Sequence, residues 1–220
     1  FPDPAGDGDL TVRILRLHME EDAGKSVHVA GRPISLVDFN RAGVPLAEIV
    51  SEPDLRSPAQ ASAYLKEMRA TLRACGVSDG NMEEGSFRCD ANISIRPTGD
   101  PTLGTRVEIK NMNSFKHVRQ ALEAEVRRQV AVVEGGGEVV QETRLWDDVR
   151  GQTRPMRGKE EAHDYRYFPD PDLPALAVDG AWVERVREGV PELPLARLVR
   201  WRESIGLGAD EGAVLVEERA

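Results

Sequence analysis

Cysteine is scarce and unpatterned in this sequence. Cys75 and Cys89 are the two, with no CxxC pair and no His/Cys ligand spacing around them, so both read as free thiols of a reducing cytosol. No apolar run is long enough to span a bilayer and no signal peptide opens the chain, so no membrane partner is expected. Basic charge is in deficit: 29 Lys and Arg stand against 38 Asp and Glu, a net charge of -9. That excludes a nonspecific nucleic-acid binder held by a basic surface, while a local basic patch on a nucleic-acid substrate stays open. A phosphate loop is also missing. Gly24-Lys25-Ser26 resembles the end of one, but the glycine required five positions earlier is Met19. The alternating ligand spacing of an EF-hand is absent too, and no internal repeat is evident. The chain opens on Phe1 with no initiator Met, and reads as a piece of a longer protein.

What is present first is acid. Residues 16–26 run from an apolar stretch into Glu20-Glu21-Asp22 and then turn at Gly24. Two carboxylates about 4 Å apart cost on the order of 4 kcal/mol at an effective dielectric near 20, so the three acids either point apart into water or share a positive partner. One reading is a charged exit from a strand into a turn. The other is a divalent-metal site, since oxygen donors without cysteine select hard ions such as Mg²⁺. Glu48 lies between Leu46-Ala47 and Ile49-Val50, and a half-buried carboxylate there needs a hydrogen-bonded partner or a metal.

The 220 residues suffice for one large domain, burying roughly 70% of the unfolded surface. Residues 10–20 alternate imperfectly, with Val12 and Ile14 on one parity and Leu15, Leu17 and Met19 on the other, which predicts a bulged strand. Residues 27–30 and 34–39 flank Gly31-Arg32-Pro33 as a hairpin. Ser57 as N-cap and Pro58 at the first helical position start a helix that Gly76 closes. Residues 87–96 split without exception: Phe87, Cys89, Ala91, Ile93 and Ile95 are apolar, and Arg88, Asp90, Asn92, Ser94 and Arg96 are polar. The polar row is either a solvated face or the floor of a polar cavity. Residues 106–111 read as its neighbour, adding Glu108 and Lys110 to the same surface if the register allows.

Asn113 or Ser114 caps a second long helix with a stripe of Phe115, Val118, Leu122, Val126, Val130 and Val133, ended by Gly135-Gly136-Gly137. A hairpin over 139–157 follows, then an aromatic and charged loop at 159–174, where His163 beside Asp164 is a candidate base. From residue 181 the pattern is helical, and Pro191 and Pro194 mark a boundary. The element order predicts an α+β fold, an antiparallel sheet covered by long helices. Residues 1–190 form its main domain and 191–220 begin a truncated helical one.

Several strings together resemble a known family, the B subunit of the tRNA-dependent amidotransferase. They are Leu17-His18-Met19-Glu20-Glu21-Asp22-Ala23-Gly24-Lys25, Gly43-Val44-Pro45-Leu46-Ala47-Glu48-Ile49-Val50-Ser51-Glu52-Pro53-Asp54, Met82-Glu83-Glu84-Gly85-Ser86-Phe87-Arg88-Cys89-Asp90-Ala91-Asn92-Ile93-Ser94, Glu108-Ile109-Lys110-Asn111 and Asp164-Tyr165-Arg166-Tyr167-Phe168-Pro169. The resemblance implies a cradle-shaped catalytic domain that uses ATP and Mg²⁺ to phosphorylate the side-chain carboxylate of mischarged Glu-tRNA(Gln) or Asp-tRNA(Asn). Ammonia from a partner amidase A subunit then displaces phosphate, in a complex that also holds a small C subunit in a bacterial-type cytoplasm. In the family the metal is held by a Glu and a His of an N-terminal strand and by two further Glu residues, which match Glu21 and Glu48. Arg88, Asp90, Asn92, Glu108 and Lys110 are then expected to line the nucleotide or aminoacyl-end pocket. The N-terminal ligands, the family's zinc-site cysteines and most of the C-terminal helical and tail domains are expected outside this chain, which would be inactive alone. Two rivals remain: a non-catalytic scaffold that docks an amidase to tRNA, and a metal-dependent hydrolase using the same acids.

Overall fold

The structure, a computed structural model, describes residues 1–6, 8–29, 31–156, 176–208, 211–212 and 214–215. The loop at 159–174, with His163, lies outside the described residues. In chain order the elements are β1 (Ile14–Glu21), β2 (Lys25–His28), β3 (Ser35–Asp38), β4 (Pro45–Ser51), α1 (Pro58–Ala74), β5 (Ala91–Ile93), β6 (Val107–Lys110), α2 (Phe115–Glu134), β7 (Thr143–Asp147), β8 (Gln152–Pro155), α3 (Gly180–Gly189) and α4 (Pro194–Ile205). The fold is α+β, with small open sheets.

Three sheets form among the described residues. β1 and β4 make an antiparallel two-stranded ribbon whose register shifts between Ile14 and Arg16, the bulge that the parity switch predicts. Between them in the chain, β2 and β3 close their own hairpin over Gly31, whose φ of 74° suits a residue without Cβ. The third sheet has the order β5-β6-β7-β8. It departs from an all-antiparallel expectation, because β6 and β7 run parallel. Helix α2 supplies the crossover that a parallel pair requires, and local strand signals carry no information on that pairing.

The core lies between this sheet and the two long helices. Val107 and Ile109 of β6 are fully buried, and Met82, Met112, Val118, Ala121, Leu122 and Trp146 pack with Ile109. Helix α1 starts where Ser57 Oγ accepts from the Gln60 amide with Pro58 at the first turn, and α2 starts where Ser114 Oγ accepts from the His117 amide. The buried face of α2 differs from the predicted stripe. It runs through Val118, Ala121, Leu122, Glu125 and Gln129, while Val133 is 51% exposed.

Glu125 can be buried because its carboxylate is saturated. Its oxygens accept from Arg128 Nη2 (2.6 Å), Gln129 Nε2 (3.0 Å) and Thr153 Oγ1 (2.7 Å), with Arg144 Nε at 3.4 Å. Burial pushes the Glu125 pKa upward, but these donors, Arg128 first, leave it below the ordinary carboxylate value. The cluster fastens α2 to β7 and β8. Helix α4 carries Pro194 at its first turn, buries Pro194 and Leu198, and packs against α1. No described helix is long and apolar enough to cross a membrane.

Candidate functional site

The polar platform is the clearest outcome of the strand pattern. Only residues 91–93 pair in the ladder, yet burial alternates from Phe87 to Ile93, with the apolar members against the core and Arg88, Asp90 and Asn92 exposed. The register sets Asn92 opposite Glu108 and Ala91 opposite Ile109, so Glu108 and Lys110 share the polar face. Lys110 Nζ lies 2.6 Å from Asp90 Oδ2 and 3.3 Å from Glu108 Oε1. Half-burial pulls the Lys110 pKa down, and Asp90 and Glu108 outweigh it, so the ammonium is held above its usual value. Thr143 Oγ1 donates to Glu108 Oε2 at 2.9 Å. Beneath the platform, burial and the neighbouring Asp90 push the Cys89 thiol up to about 12, which keeps it protonated and inert.

The ribbon divides the three acids by geometry. His18 pairs across the ladder with Glu48 and Glu20 with Leu46, so alternation puts His18 and Glu20 on the face that carries Glu48. One donor atom from each of His18, Glu20 and Glu48 lies within 4.8 Å of the others, with side chains 40, 34 and 44% exposed. Arg16 Nη2 reaches Glu48 Oε2 at 3.2 Å, and His18 Nδ1 lies 3.3 Å from Glu20 Oε1. The set mixes one imidazole nitrogen with two carboxylates, and the carboxylates, open to water and substrate oxygens, are the donors that a hard divalent ion takes.

Glu21, expected with Glu48 at the metal, does not join this set. It stands opposite Pro45, exposed, on the parity of Leu15, Leu17 and Met19. Shared parity with apolar residues marks an inward face only where something packs on that face, and these three are 56, 60 and 65% exposed.

Asp22 finds the positive partners. Its Oδ2 accepts from Arg41 Nε at 2.8 Å and its Oδ1 lies 3.1 Å from Arg88 Nη2, with the side chain 11% exposed. Burial raises its pKa, and the hydrogen bonds from Arg41 and Arg88 reverse the sign and hold it low. At the other end of the ribbon Arg13 makes a two-pronged pair with Asp54, Nε to Oδ2 at 3.0 Å and Nη2 to Oδ1 at 2.7 Å. The Arg13 side-chain and backbone donors bring the Asp54 pKa down to about 2. Sequence reasoning missed His18 and Arg41. His18 carried a signal in sharing the parity of Glu20; Arg41 sits in a turn with no periodicity to mark it.

Known proteins share this sequence closely. The family profile described as the GatB/GatE catalytic domain matches residues 5–184. The B subunit of an aspartyl/glutamyl-tRNA(Asn/Gln) amidotransferase from Anaeromyxobacter sp. (strain Fw109-5) is 62% identical over 94% of this chain and 43% of its own length. B subunits of the same name from Myxococcus xanthus (strain DK1622) and Moorella thermoacetica are each 59% identical over 96% of this chain, covering 44 and 45% of their own lengths. The chain therefore spans less than half the length of these curated relatives.

Proposed function

The chain belongs to the GatB/GatE catalytic-domain family, and from that membership we propose that it carries the carboxylate-activating chemistry of a tRNA-dependent amidotransferase. In this reading ATP phosphorylates the side-chain carboxylate of mischarged Glu-tRNA(Gln) or Asp-tRNA(Asn), and ammonia from a partner amidase subunit replaces the phosphate. The name shared by the relatives supports the substrate class. The observation that carries the chemistry is the donor set of His18, Glu20 and Glu48, on a ribbon whose end is tied to the platform residue Arg88.

A divalent ion, Mg²⁺ by this reading, would be held by Glu20 and Glu48 with His18, and supplies charge neutralisation to phosphoryl oxygens without a P-loop. The ladder sets Glu48 opposite His18 and diagonal to Glu20, and Arg16 holds the Glu48 carboxylate in place. On the platform, Arg88 and Lys110 offer cationic donors to phosphate or carboxylate oxygens. Asp90 and Glu108 hold the Lys110 ammonium, and Asn92 offers a neutral amide beside them.

The test uses the complete subunit assembled with its partners and mischarged tRNA. Alanine at Glu20 or Glu48 is expected to abolish Mg²⁺-dependent ATP cleavage, and alanine at Glu21 to leave most of it. Full activity in E20A and E48A would remove both from the metal site and favour a scaffold that only docks an amidase to tRNA. Turnover without ammonia or an aminoacyl acceptor would favour a hydrolase.

A further inference from the structure

We propose that Asp22, with Arg41 and Arg88, is a positioning clamp that sets the β1–β4 ribbon against the β5–β6 platform. Among the described residues the ribbon forms no ladder with the four-stranded sheet, so no strand pairing fixes one relative to the other. Its two ends are secured differently. At the Ser51 end the chain continues directly towards α1, and Arg13 grips Asp54 there. At the opposite end β1 stops at Glu21, and Asp22 follows.

Asp22 is locked to the ribbon through its main chain: its amide donates to Val44 O at 2.8 Å, and its carbonyl accepts from the Gly43 amide at 2.9 Å. Its carboxylate then leaves the ribbon by two routes. Through Arg88 it reaches the extended lead-in to β5. Through Arg41 it reaches the turn before that lead-in, where Arg41 Nη1 donates to Glu84 O at 3.0 Å. The approach at Gly85 is close, since a Cβ there would lie 3.0 Å from Arg41 Nη1, and the φ of 77° at Gly85 suits glycine. The sequence thus provides a residue without a side chain where the guanidinium crosses. With both oxygens engaged and little exposure, the Asp22 carboxylate is committed to the two arginines, and the candidate metal donors are left to its neighbours on the ribbon.

The functional consequence rests on the proposed function. A phosphoryl group held between ribbon and platform requires both at fixed separation, and a displacement of about 1 Å costs on the order of 10²-fold in rate.

The experiment uses the complete protein with p-acetylphenylalanine introduced at Ala47 on β4 and at Arg119 on α2 and spin-labelled through its ketone, so that native thiols stay unlabelled, read by pulsed electron-electron distance measurement. Asp22→Asn is expected to broaden the distance distribution at least about twofold while the labelled protein keeps its cooperative melting transition. Arg41→Gln, which leaves the Arg88 arm, is expected to broaden it less. Mn²⁺ alone, titrated by its electron paramagnetic resonance signal, is expected to bind Asp22→Asn within about twofold of the parent, because the donors that this chain offers the ion all belong to the ribbon and Asp22 is not among them. Acceptor-dependent ATP cleavage is expected to fall about 10- to 100-fold in kcat/KM. An unchanged distance distribution in both variants overturns the clamp. Loss of Mn²⁺ binding in a folded Asp22→Asn also overturns it, by making Asp22 a ligand. A parent that binds no Mn²⁺ overturns the metal reading instead, and the distance distribution still decides the clamp.

Discussion

On β6, Val107 and Ile109 are fully buried, Ile109 in one cluster with Val118, Ala121 and Leu122 of α2, whereas on β1 Leu17 and Met19 are 60 and 65% exposed. Both strands alternate apolar with polar residues, and both carry acids on the polar parity. The difference is in what lies over the apolar face. The four-stranded sheet has a helix, a hydrophobic cluster and the saturated Glu125 network on it; the ribbon has side-chain ties at its two ends. Stability therefore resides in one region and the candidate metal donors in the other. A site built this way takes its rigidity from a few ion pairs, so it is more easily displaced than unfolded.

The largest effect that would break this contrast is expected at Glu125. Glu125→Ala leaves Arg128, Arg144 and Thr153 facing an emptied acceptor site, and loss of one member of a buried ionic network costs roughly 3–5 kcal/mol. Denaturant unfolding monitored by circular dichroism should show that loss, and a change below about 1 kcal/mol would mean that the network is wet. Next comes a matched pair of truncations. Ile109→Ala is expected to cost roughly 2–5 kcal/mol as a cavity in a closed core, and Leu17→Ala in the same chain to stay within about 0.5 kcal/mol. Equal losses in the two midpoints would show that the ribbon face is packed after all.

The smallest effect is local and acid-dependent. The native Asp54 carboxyl titrates at about 2, below the unfolded value of about 3.9. Its contribution is complete above that unfolded value and is lost as pH falls through about 2. The protection of the Arg13 amide, whose N–H donates to Asp54 Oδ2, measured against the free-chain exchange rate at the same pH, should fall across that window. Asp54→Asn should show low protection at every pH, and a protection that ignores both acid and the substitution would detach the Arg13 contact from the ribbon's closure.

Local chemistry made much of this legible in advance. Ser57-Pro58 and Ser114 announce helix starts because a cap is a matter of three or four residues, and the hairpin at Gly31 likewise. The alternation over residues 87–93 survives although the ladder covers three of them, because parity depends on extended backbone and not on pairing. The platform residues Arg88, Asp90, Asn92, Glu108 and Lys110 therefore come together as anticipated; what they bind is a separate question. The parallel seam between β6 and β7 was not legible, since it depends on where α2 returns the chain. Nor was the face of α2: valines at 126, 130 and 133 look like the buried stripe until Arg128, Thr153 and Arg144 make room for Glu125. That Glu21 lies off the face carrying Glu48 was not legible for a related reason. Periodicity defines two faces of a strand, and only the rest of the molecule decides which one is covered.

That parallel seam also bears on how the chain folds. The β7–β8 pair closes over a short turn, and β6 can join β7 only after a loop containing the whole of α2 has been drawn together. Such long-range closure is slow compared with local hairpins and helices. The seam is thus expected to be a late event, with α2 and the β7–β8 hairpin formed before it. Because Thr153 and Arg144 meet Glu125 at this junction, the same carboxylate that anchors the finished core would register, in refolding kinetics, whether the two halves have met.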